Sequence, residues 1–271
     1  MTEFVVFTDL DGTLLDHHSY SFEPALPALR LLKKRAVPVV LCTSKTRAET
    51  AELRDQLGLD HPFITENGGG IFIPLQYPLP RHHAETEKEG FRVITLGVSI
   101  SQIHDAFAKL KESFQVRGFS DMDARTLAGE TGLNEDQAAR ALHRDFSEPF
   151  EFLDDEKRLD ELEREVAKLG LGLTRGGRFF HLVGPDAGKG AAVDILSGMY
   201  SRDNRKITTV ALGDSLNDLS MLRAVDIPFL VQKPGHVYDP KVRFESIRLA
   251  EGVGPEGWNR AILTLLSESE M

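Results

Sequence analysis

Two acidic segments in this sequence each follow a short apolar run. Asp9 and Asp11 come directly after the apolar residues 4–7, and a glycine follows them. Asp214 stands in residues 213–218, which read Gly-Asp-Ser-Leu-Asn-Asp and follow a largely apolar run. Carboxylate and carbonyl oxygens suit a hard dication, and a carboxylate can also attack an electrophile. The first segment alone is compatible with an ordinary Asp-Gly turn, but together the two segments could close one metal site.

Two further segments offer groups that could bind a phosphate. Lys189 stands at the start of a predicted helix, where a compact cation and free backbone amides favour an anion. Thr43, Ser44 and Lys45 end the second predicted strand and offer two hydroxyls and a charge. Taken singly, a lysine such as Lys189 is more often a solvated side chain, and a helix N-cap explains the second segment equally well. Together with the acidic segments, they predict a site for a phosphorylated ligand.

The elements that must position these residues alternate between strand and helix. Residues 4–7 and 37–42 are typical of buried strands, and a helical pattern over residues 24–32 lies between them. The same alternation returns after Gly188. It predicts a parallel sheet with helices on both faces, in which ligands gather at the carboxyl ends of the strands.

The pattern changes at residues 74–80, where three prolines disfavour regular structure and indicate a connector. Beyond it the sequence predicts strands near residues 91–96 and 150–153 among helices with one apolar face. We therefore expect an α/β fold, with a doubly wound, Rossmann-like parallel-sheet core and an inserted α+β cap domain. The expected bounds are 1–80 for the first part of the core, 81–185 for the cap and 186–271 for the second part of the core.

Length, charge and cysteine content exclude several classes of protein. A chain of 271 residues is too long for a peptide hormone or a disulfide-stapled miniprotein. The formal net charge of −10 disfavours nucleic acid and anionic membrane surfaces as partners. Cys42 is the only cysteine, and no apolar stretch approaches the roughly 18 residues of a membrane span. We expect a soluble, unexported, cytoplasmic protein, and the oligomeric state is left open.

The order of these motifs resembles the haloacid dehalogenase superfamily of phosphohydrolases over the whole chain. Asp-x-Asp-Gly-Thr, a strand-end Thr-Ser, a lysine and Gly-Asp-x-x-Asn-Asp follow one another as in that family. The insertion resembles the larger α/β cap of its sugar-phosphate phosphatases. The resemblance implies Asp9 as nucleophile, Asp11 as general acid and base, and Mg²⁺ as cofactor. The groups it assigns to phosphate are Thr43 or Ser44 with Lys189, and those it assigns to the metal are Asp9, Asp11 through its carbonyl oxygen and Asp214, with Asn217 and Asp218 around them.

This chemistry explains why such residue types are needed. A phosphate monoester is a dianion that repels a carboxylate, so a divalent ion and a lysine must neutralise it before Asp9 can attack phosphorus. The product would be an aspartyl phosphate. Asp11 would protonate the leaving alkoxide and then activate the water that hydrolyses the intermediate. In the superfamily's transport ATPases the second aspartate is replaced, so Asp11 favours a phosphatase or a mutase.

Shorter motifs resemble the mannosyl-3-phosphoglycerate phosphatases within the superfamily. They are Thr-Ser-Lys-Thr at residues 43–46, Glu-Asn-Gly-Gly at 66–69, residues 144–150 and 175–181 of the cap, and residues 254–258. A glycosyl phosphoglycerate presents a phosphate, a carboxylate and a sugar, a combination that requires several cations and amides. The expected partner is therefore a small phosphorylated sugar. The candidate substrate-binding residues are Lys45, Glu66, Asn67, Gly68, Gly69, Arg144, Arg175, Arg178 and His181.

Several of these motifs also fit other interpretations. The Gly176–Gly177 pair also suits a hairpin turn flanked by solvated arginines, and Trp258 suits packing better than ligand binding. A Cof-like or sucrose-phosphate phosphatase would share every core residue, a phosphomannomutase relative most of them. A non-catalytic sugar-phosphate-binding protein would not need Asp9 and Lys189 together with two further aspartates. The sequence leaves open whether the mannosyl or the glucosyl compound is preferred.

We also expect the cap to close over the core as a lid.

Overall fold

A computed structural model describes residues 3–175, 178–201 and 206–269. The predicted Gly176–Gly177 turn therefore lies outside the described residues. The strands are β1 (Glu3–Thr8), β2 (Val39–Cys42), β3 (Phe63–Thr65), β4 (Gly70–Pro74), β5 (Glu85–Lys88), β6 (Phe91–Thr95), β7 (Val116–Gly118), β8 (Ser147–Phe152), β9 (Gly172–Arg175), β10 (Phe180–Val183), β11 (Ile207–Gly213), β12 (Ile227–Gln232) and β13 (Arg248–Val253). The helices are α1 (Leu26–Lys34), α2 (Arg47–Gln56), α3 (Ile100–Leu110), α4 (Ala124–Thr131), α5 (Glu135–Leu142), α6 (Leu159–Lys168), α7 (Lys189–Tyr200), α8 (Leu219–Arg223) and α9 (Pro255–Glu268).

Nine strands form one large sheet in the order β13-β12-β11-β1-β2-β3-β4-β6-β5. The six strands from β13 to β3 pair in parallel, and β4, β6 and β5 extend the sheet in antiparallel pairs. The predicted doubly wound α/β core is confirmed. β1 lies between β2 and β11, so the segments that follow these three strands emerge side by side at one edge of the sheet.

The sheet is buried on both faces because alternate side chains of its central strands point to opposite sides. Phe4 and Val6 of β1 pack with α1 and α9, whereas Val5 and Phe7 pack with α7 and α8. Trp258 of α9 is fully buried, and its indole Nε1 donates a hydrogen bond of 2.9 Å to Thr8 Oγ1. The only tryptophan therefore packs under the end of β1, as its sequence context favoured.

A second, antiparallel sheet of four strands carries the cap in the order β7-β8-β10-β9. Helices α3 and α6 cover one face of it through Phe107 and Leu162, which pack with Phe150 and Leu182. Helices α4 and α5 form a small separate cluster around Leu127. The sequence analysis did not identify these two short helices, because they bury only Leu127, Ala138 and Ala141.

The predicted strand at residues 91–96 forms as β6, but it pairs with β4 and β5 of the large sheet. Residues 85–95, which the predicted cap bounds include, thus extend the core sheet. Among the described residues, no helix is long and apolar enough to span a lipid bilayer.

Candidate active site

A buried lysine joins two carboxylates at the carboxyl edge of the large sheet. Lys189, the first residue of α7, lies with its Nζ 2.6 Å from Asp9 Oδ1 and 2.7 Å from Asp218 Oδ1. Asp9 directly follows β1, and Asp218 ends the turn after β11. Burial disfavours the charge on Lys189, but Asp218 and Asp9 outweigh this effect and raise its pKa. The lysine is therefore charged, and it holds the ends of two neighbouring strands together.

Three carboxylates converge around this lysine. One oxygen each of Asp9, Asp214 and Asp218 lie within 4.8 Å of one another. Burial, and then the charge of Asp218, raise the pKa of Asp9 well above its usual value and that of Asp214 to about 7. Lys189 balances only one of the three negative charges. A dication bound at these oxygens would balance the other two and favour the ionised forms, so the residues fit a hard divalent metal.

The loop after β1 comes close to this cluster because of a glycine. Gly12 has a φ of +80°, and a Cβ built on it would lie 3.0 Å from Asp214 Oδ2. A side chain would therefore strain the backbone and push the Asp214 carboxylate out of its position. The same loop presents Asp11, whose Oδ2 lies 2.9 Å from Lys45 Nζ, and the Oδ1 of Asp11 is buried without a hydrogen-bond partner among the described atoms.

The loop after β3 joins the predicted phosphate-binding segments. Asn67 N donates to Thr43 O at 2.9 Å, and Glu66 N donates to Lys45 O at 3.0 Å. Gly68, with a φ of +91°, lies so close to α7 that a Cβ on it would be 2.2 Å from the carbonyl of Gly188. Thr43 is buried, whereas Ser44 is partly exposed. The predicted core residues thus lie on contiguous loops around Lys189.

Comparison with known proteins identifies the family to which this chain belongs. Residues 6–233 match the family model of the haloacid dehalogenase-like hydrolases. The chain belongs to this family. It is 44% identical to a glucosyl-3-phosphoglycerate/mannosyl-3-phosphoglycerate phosphatase of Methanococcoides burtonii, with 98% of each chain covered. A protein of the same name from Persephonella marina is 41% identical, again over 98% of each chain.

Solved structures share the fold of this haloacid dehalogenase-like hydrolase. The sucrose-phosphatase of Synechocystis, solved with sucrose and phosphate, superposes with a TM-score of 0.64 at 16% identity, covering all of this chain and 99% of the other. A haloacid dehalogenase-like hydrolase from B. subtilis gives a TM-score of 0.65 at 19% identity and covers 96% and 99% of the two chains. The predicted membership in the superfamily is confirmed.

Glu66, which the sequence analysis assigned to substrate, holds the cap of this hydrolase. Its Oε1 accepts a hydrogen bond from Asp145 N at 2.8 Å, and its Oε2 accepts bonds from Phe146 N at 3.0 Å and Ser147 Oγ at 2.6 Å. The side chain is fully buried, and this burial raises its pKa although Arg144 opposes the shift. Both carboxylate oxygens of this core residue therefore accept hydrogen bonds from residues 145–147, where the cap segment enters β8.

Arg144 and His181 lie where the cap meets the core. Arg144 Nη1 donates to Ser44 O at 2.8 Å, so this cap residue contacts the predicted phosphate loop directly. His181 of β10 is buried, its Nδ1 has no partner among the described atoms, and burial, Arg144 and Lys189 together lower its pKa to about 3. His181 is therefore a neutral imidazole with a free polar atom at the interface of cap and core.

The two remaining cap arginines contact other cap residues. Arg178 donates to Glu130 O and, at 3.0 Å, to Glu151 Oε1, and Arg175 lies 5.0 Å from the centre of the Phe180 ring. Glu151 also accepts a hydrogen bond of 2.7 Å from Arg117 Nη2. The structure does not place Arg175 or Arg178 with the carboxylates around Lys189, and their role toward substrate stays a prediction.

Sequence reasoning placed Asn217 and Asp218 only at the edge of the site. Asn217 Oδ1 accepts a hydrogen bond from Ser215 Oγ within the turn after β11. Asp218, in contrast, bonds Lys189 through Oδ1 and accepts from the backbone of Asp214 and Ser215 through Oδ2. Nothing in the sequence pattern distinguishes Asp218 from a helix-capping aspartate, because Asp218 also forms a capping box with Ser215 in this turn.

Proposed function

We propose that this protein is a magnesium-dependent phosphatase of glycosyl-3-phosphoglycerates. The observation that carries the proposal is the buried cluster of Asp9, Asp214 and Asp218 around Lys189, which combines a nucleophile, acidic ligands and a cation. The names of the relatives at 44% and 41% identity supply the substrate class. Both names include glucosyl-3-phosphoglycerate and mannosyl-3-phosphoglycerate, so we propose activity on both. The cytoplasmic location expected from composition stays a prediction.

Separate residues would bind the metal ion and the phosphate group. Asp9, Asp214 and the carbonyl oxygen of Asp11 would hold Mg²⁺, and Asp218 would lie beside them as the third carboxylate of the cluster. The ion, when bound, neutralises charge on the transferring phosphoryl group. Lys189 Nζ lies 2.6 Å from the proposed nucleophilic carboxylate and is thus placed to hold a phosphate oxygen beside it. Thr43 and Ser44 would donate hydrogen bonds to the other phosphate oxygens.

The proposed reaction has two steps through an aspartyl phosphate. Asp9 attacks phosphorus, the bond from phosphorus to the ester oxygen breaks, and Asp11 gives its proton to the leaving oxygen. A water molecule then loses a proton to Asp11 as it attacks the aspartyl phosphate. This second step releases inorganic phosphate and regenerates the Asp9 carboxylate. Asp11 is suited to this exchange because, unlike Asp9, it is partly exposed, with 40% of its side chain accessible.

Phosphate release from a panel of esters tests the proposal. The panel contains glucosyl- and mannosyl-3-phosphoglycerate, sucrose 6-phosphate, mannose 6-phosphate and p-nitrophenyl phosphate. We expect the two glycosyl-3-phosphoglycerates to have the highest kcat/KM, EDTA to abolish the activity and Mg²⁺ to restore it. A preference for another sugar phosphate would refute the substrate class, and full activity in EDTA would refute the metal site.

A further inference from the structure

Tyr20 is an exposed aromatic side chain beside the proposed general acid. Its ring centre lies 5.4 Å from Lys45 Nζ, and that nitrogen lies 2.9 Å from Asp11 Oδ2. Half of Tyr20 is accessible to solvent, at 51%, and the side chain of Lys45 remains 20% accessible. Tyr20, Lys45 and Asp11 therefore form a row on the core that leads from the reaction centre toward solvent.

The backbone holds Tyr20 in this position. Tyr20 N donates to Asp16 O, and Asp16 N donates to Ser21 O, which closes the loop on both sides of the tyrosine. The Asp16 carboxylate accepts further hydrogen bonds from Ser19 N and Ser19 Oγ at 2.8 and 2.7 Å. Tyr20 itself has a φ of +56°, which is uncommon for a residue with a side chain. The loop thus presents an aromatic ring to solvent in a fixed position.

We propose that Lys45 and Tyr20 form the subsite for the leaving group, in which Lys45 binds the glycerate carboxylate and Tyr20 packs against the sugar ring. This inference rests on the proposed function, because it assigns residues to the two groups that distinguish a glycosyl-3-phosphoglycerate from a simple phosphate ester. It places substrate recognition on the core as well as on the cap.

The covalent geometry of the substrate carries the first half of this inference. Asp11 must come within about 3 Å of the ester oxygen to protonate it, so Lys45 Nζ lies within about 6 Å of that oxygen. In 3-phosphoglycerate the carboxylate is joined to the ester oxygen through two intervening carbons, and carbon–carbon bonds are about 1.5 Å long. The carboxylate thus falls within reach of an ammonium that carries three N–H donors, of which Asp11 uses one.

The second half follows from the position of the sugar. The glycosidic oxygen is on the carbon next to the carboxylate, so a carboxylate on Lys45 directs the sugar to the surroundings of Lys45. Tyr20 provides the apolar face there. Burial of C–H groups of a pyranose against this ring would be favourable in the same way as other apolar contacts.

Matched substrates separate the role of Lys45 toward substrate from its role beside Asp11. 3-Phosphoglycerate and glycerol 3-phosphate share an alkyl leaving group and differ in the carboxylate. We expect Lys45→Gln to lower the ratio of their kcat/KM values, 3-phosphoglycerate over glycerol 3-phosphate, by on the order of tenfold or more. An equal loss on both esters would show that Lys45 acts only through Asp11 and would overturn this half.

A second pair of substrates tests Tyr20. We expect Tyr20→Ala to lower the kcat/KM ratio of glucosyl-3-phosphoglycerate over 3-phosphoglycerate by about tenfold, mainly through KM, and Tyr20→Phe to retain the wild-type ratio. His17→Ala, on the same loop, is the control for a general loop effect. A wild-type ratio in Tyr20→Ala, or an equal fall in His17→Ala, would overturn the assignment.

The substrate preference of the wild-type enzyme distinguishes a failure of the proposed function from a failure of the subsite. If the enzyme does not prefer the glycosyl-3-phosphoglycerates in the substrate panel, the proposed function fails and the subsite fails with it. If it has that preference and both variants keep the wild-type ratios for the two matched substrate pairs, the function stands and only the subsite is refuted.

Discussion

The proposed nucleophile of this hydrolase, Asp9, lies among buried carboxylates that repel its charge. Asp9 is buried with Asp214 and Asp218 nearby, and the ammonium of Lys189 is shared between Asp9 and Asp218. Like charges at this distance raise the energy of the ionised form, which a bound cation then lowers. The repulsion among these carboxylates in the metal-free protein therefore favours binding of a dication.

Asp9→Asn should therefore abolish activity without loss of stability. The amide oxygen can still accept the hydrogen bond from Lys189, and one buried negative charge is removed from the cluster. We expect phosphate release to fall by roughly 10⁴-fold or more, and the melting temperature in EDTA to equal or exceed that of the wild type. Near wild-type turnover would refute the nucleophile, and a large fall in melting temperature would refute the charge argument.

His181 should make the stability of the protein depend on pH. Its pKa falls from 6.5 to about 3 on folding, mainly because it is buried. Between these values the unfolded chain binds a proton that the folded chain does not, so stability decreases as pH falls below 6.5. From pH 7 to pH 5 we expect the wild type to lose about 2 kcal/mol more than His181→Asn, measured by urea unfolding. Equal losses would show that His181 is solvated or charged in the folded protein.

At the scale of elements, the loop of residues 66–70 connects the reaction centre with the cap. Gly68 contacts the start of α7 at Lys189, Gly69 O accepts from Leu96 N and Gly97 N, and Glu66 holds residues 145–147. Glu66 and Asn67 both have positive φ values, which such a tight loop requires. One short loop therefore couples the position of the cap to that of Lys189.

Glu66→Gln should loosen this coupling. Glutamine has one acceptor oxygen where glutamate has two, so its amide group would face a backbone N–H or the Ser147 hydroxyl as a second donor. We expect a loss of about 1–3 kcal/mol in unfolding free energy, and a larger fall in kcat/KM for glucosyl-3-phosphoglycerate than for p-nitrophenyl phosphate.

Ser147→Ala is the matched variant for this prediction, since it removes one donor from the same carboxylate. It should cause a smaller loss of the same kind, about 1 kcal/mol. If Glu66→Gln raised KM without any loss of stability, Glu66 would act on substrate directly, as the sequence analysis expected.

The sequence predicted the elements that have a clear apolar pattern and missed those that bury few large side chains. Strands β1 and β2 were evident as unbroken apolar runs, and helix α7 because its buried residues Ala192, Val193, Leu196 and Met199 lie at helical spacing. Helices α4 and α5 bury mainly alanine, and strand β5 is largely exposed. In the site, Asp9 and Lys189 follow from motif order, whereas the bonds of Glu66 to the cap join residues about 80 positions apart, a separation on which local pattern carries no information.

At the scale of the whole molecule, cap and core meet where two chain crossings pack against each other. A Cβ built on Gly184, between β10 and α7, would lie 2.7 Å from Gly97 Cα, between β6 and α3. Arg144 and Glu66 add hydrogen bonds between the two bodies close to this point. Cap and core therefore meet at a contact between two glycines that leaves no room for a side chain at Gly184.

Gly184→Ala tests this contact. The added methyl group must push the two crossings apart, which we expect to cost about 1–3 kcal/mol as an overpacked site and to displace the cap from the catalytic loops. The free energy of unfolding and kcat/KM for glucosyl-3-phosphoglycerate should both fall. The effect on kcat/KM for p-nitrophenyl phosphate, which does not need the cap, should be smaller. Gly198→Ala in α7 is the control, because a Cβ there meets no described atom within 4 Å; it should leave activity intact and stabilise the helix by up to about 1 kcal/mol. Wild-type stability and substrate preference in Gly184→Ala would mean that the crossings can separate freely and that cap position is set elsewhere.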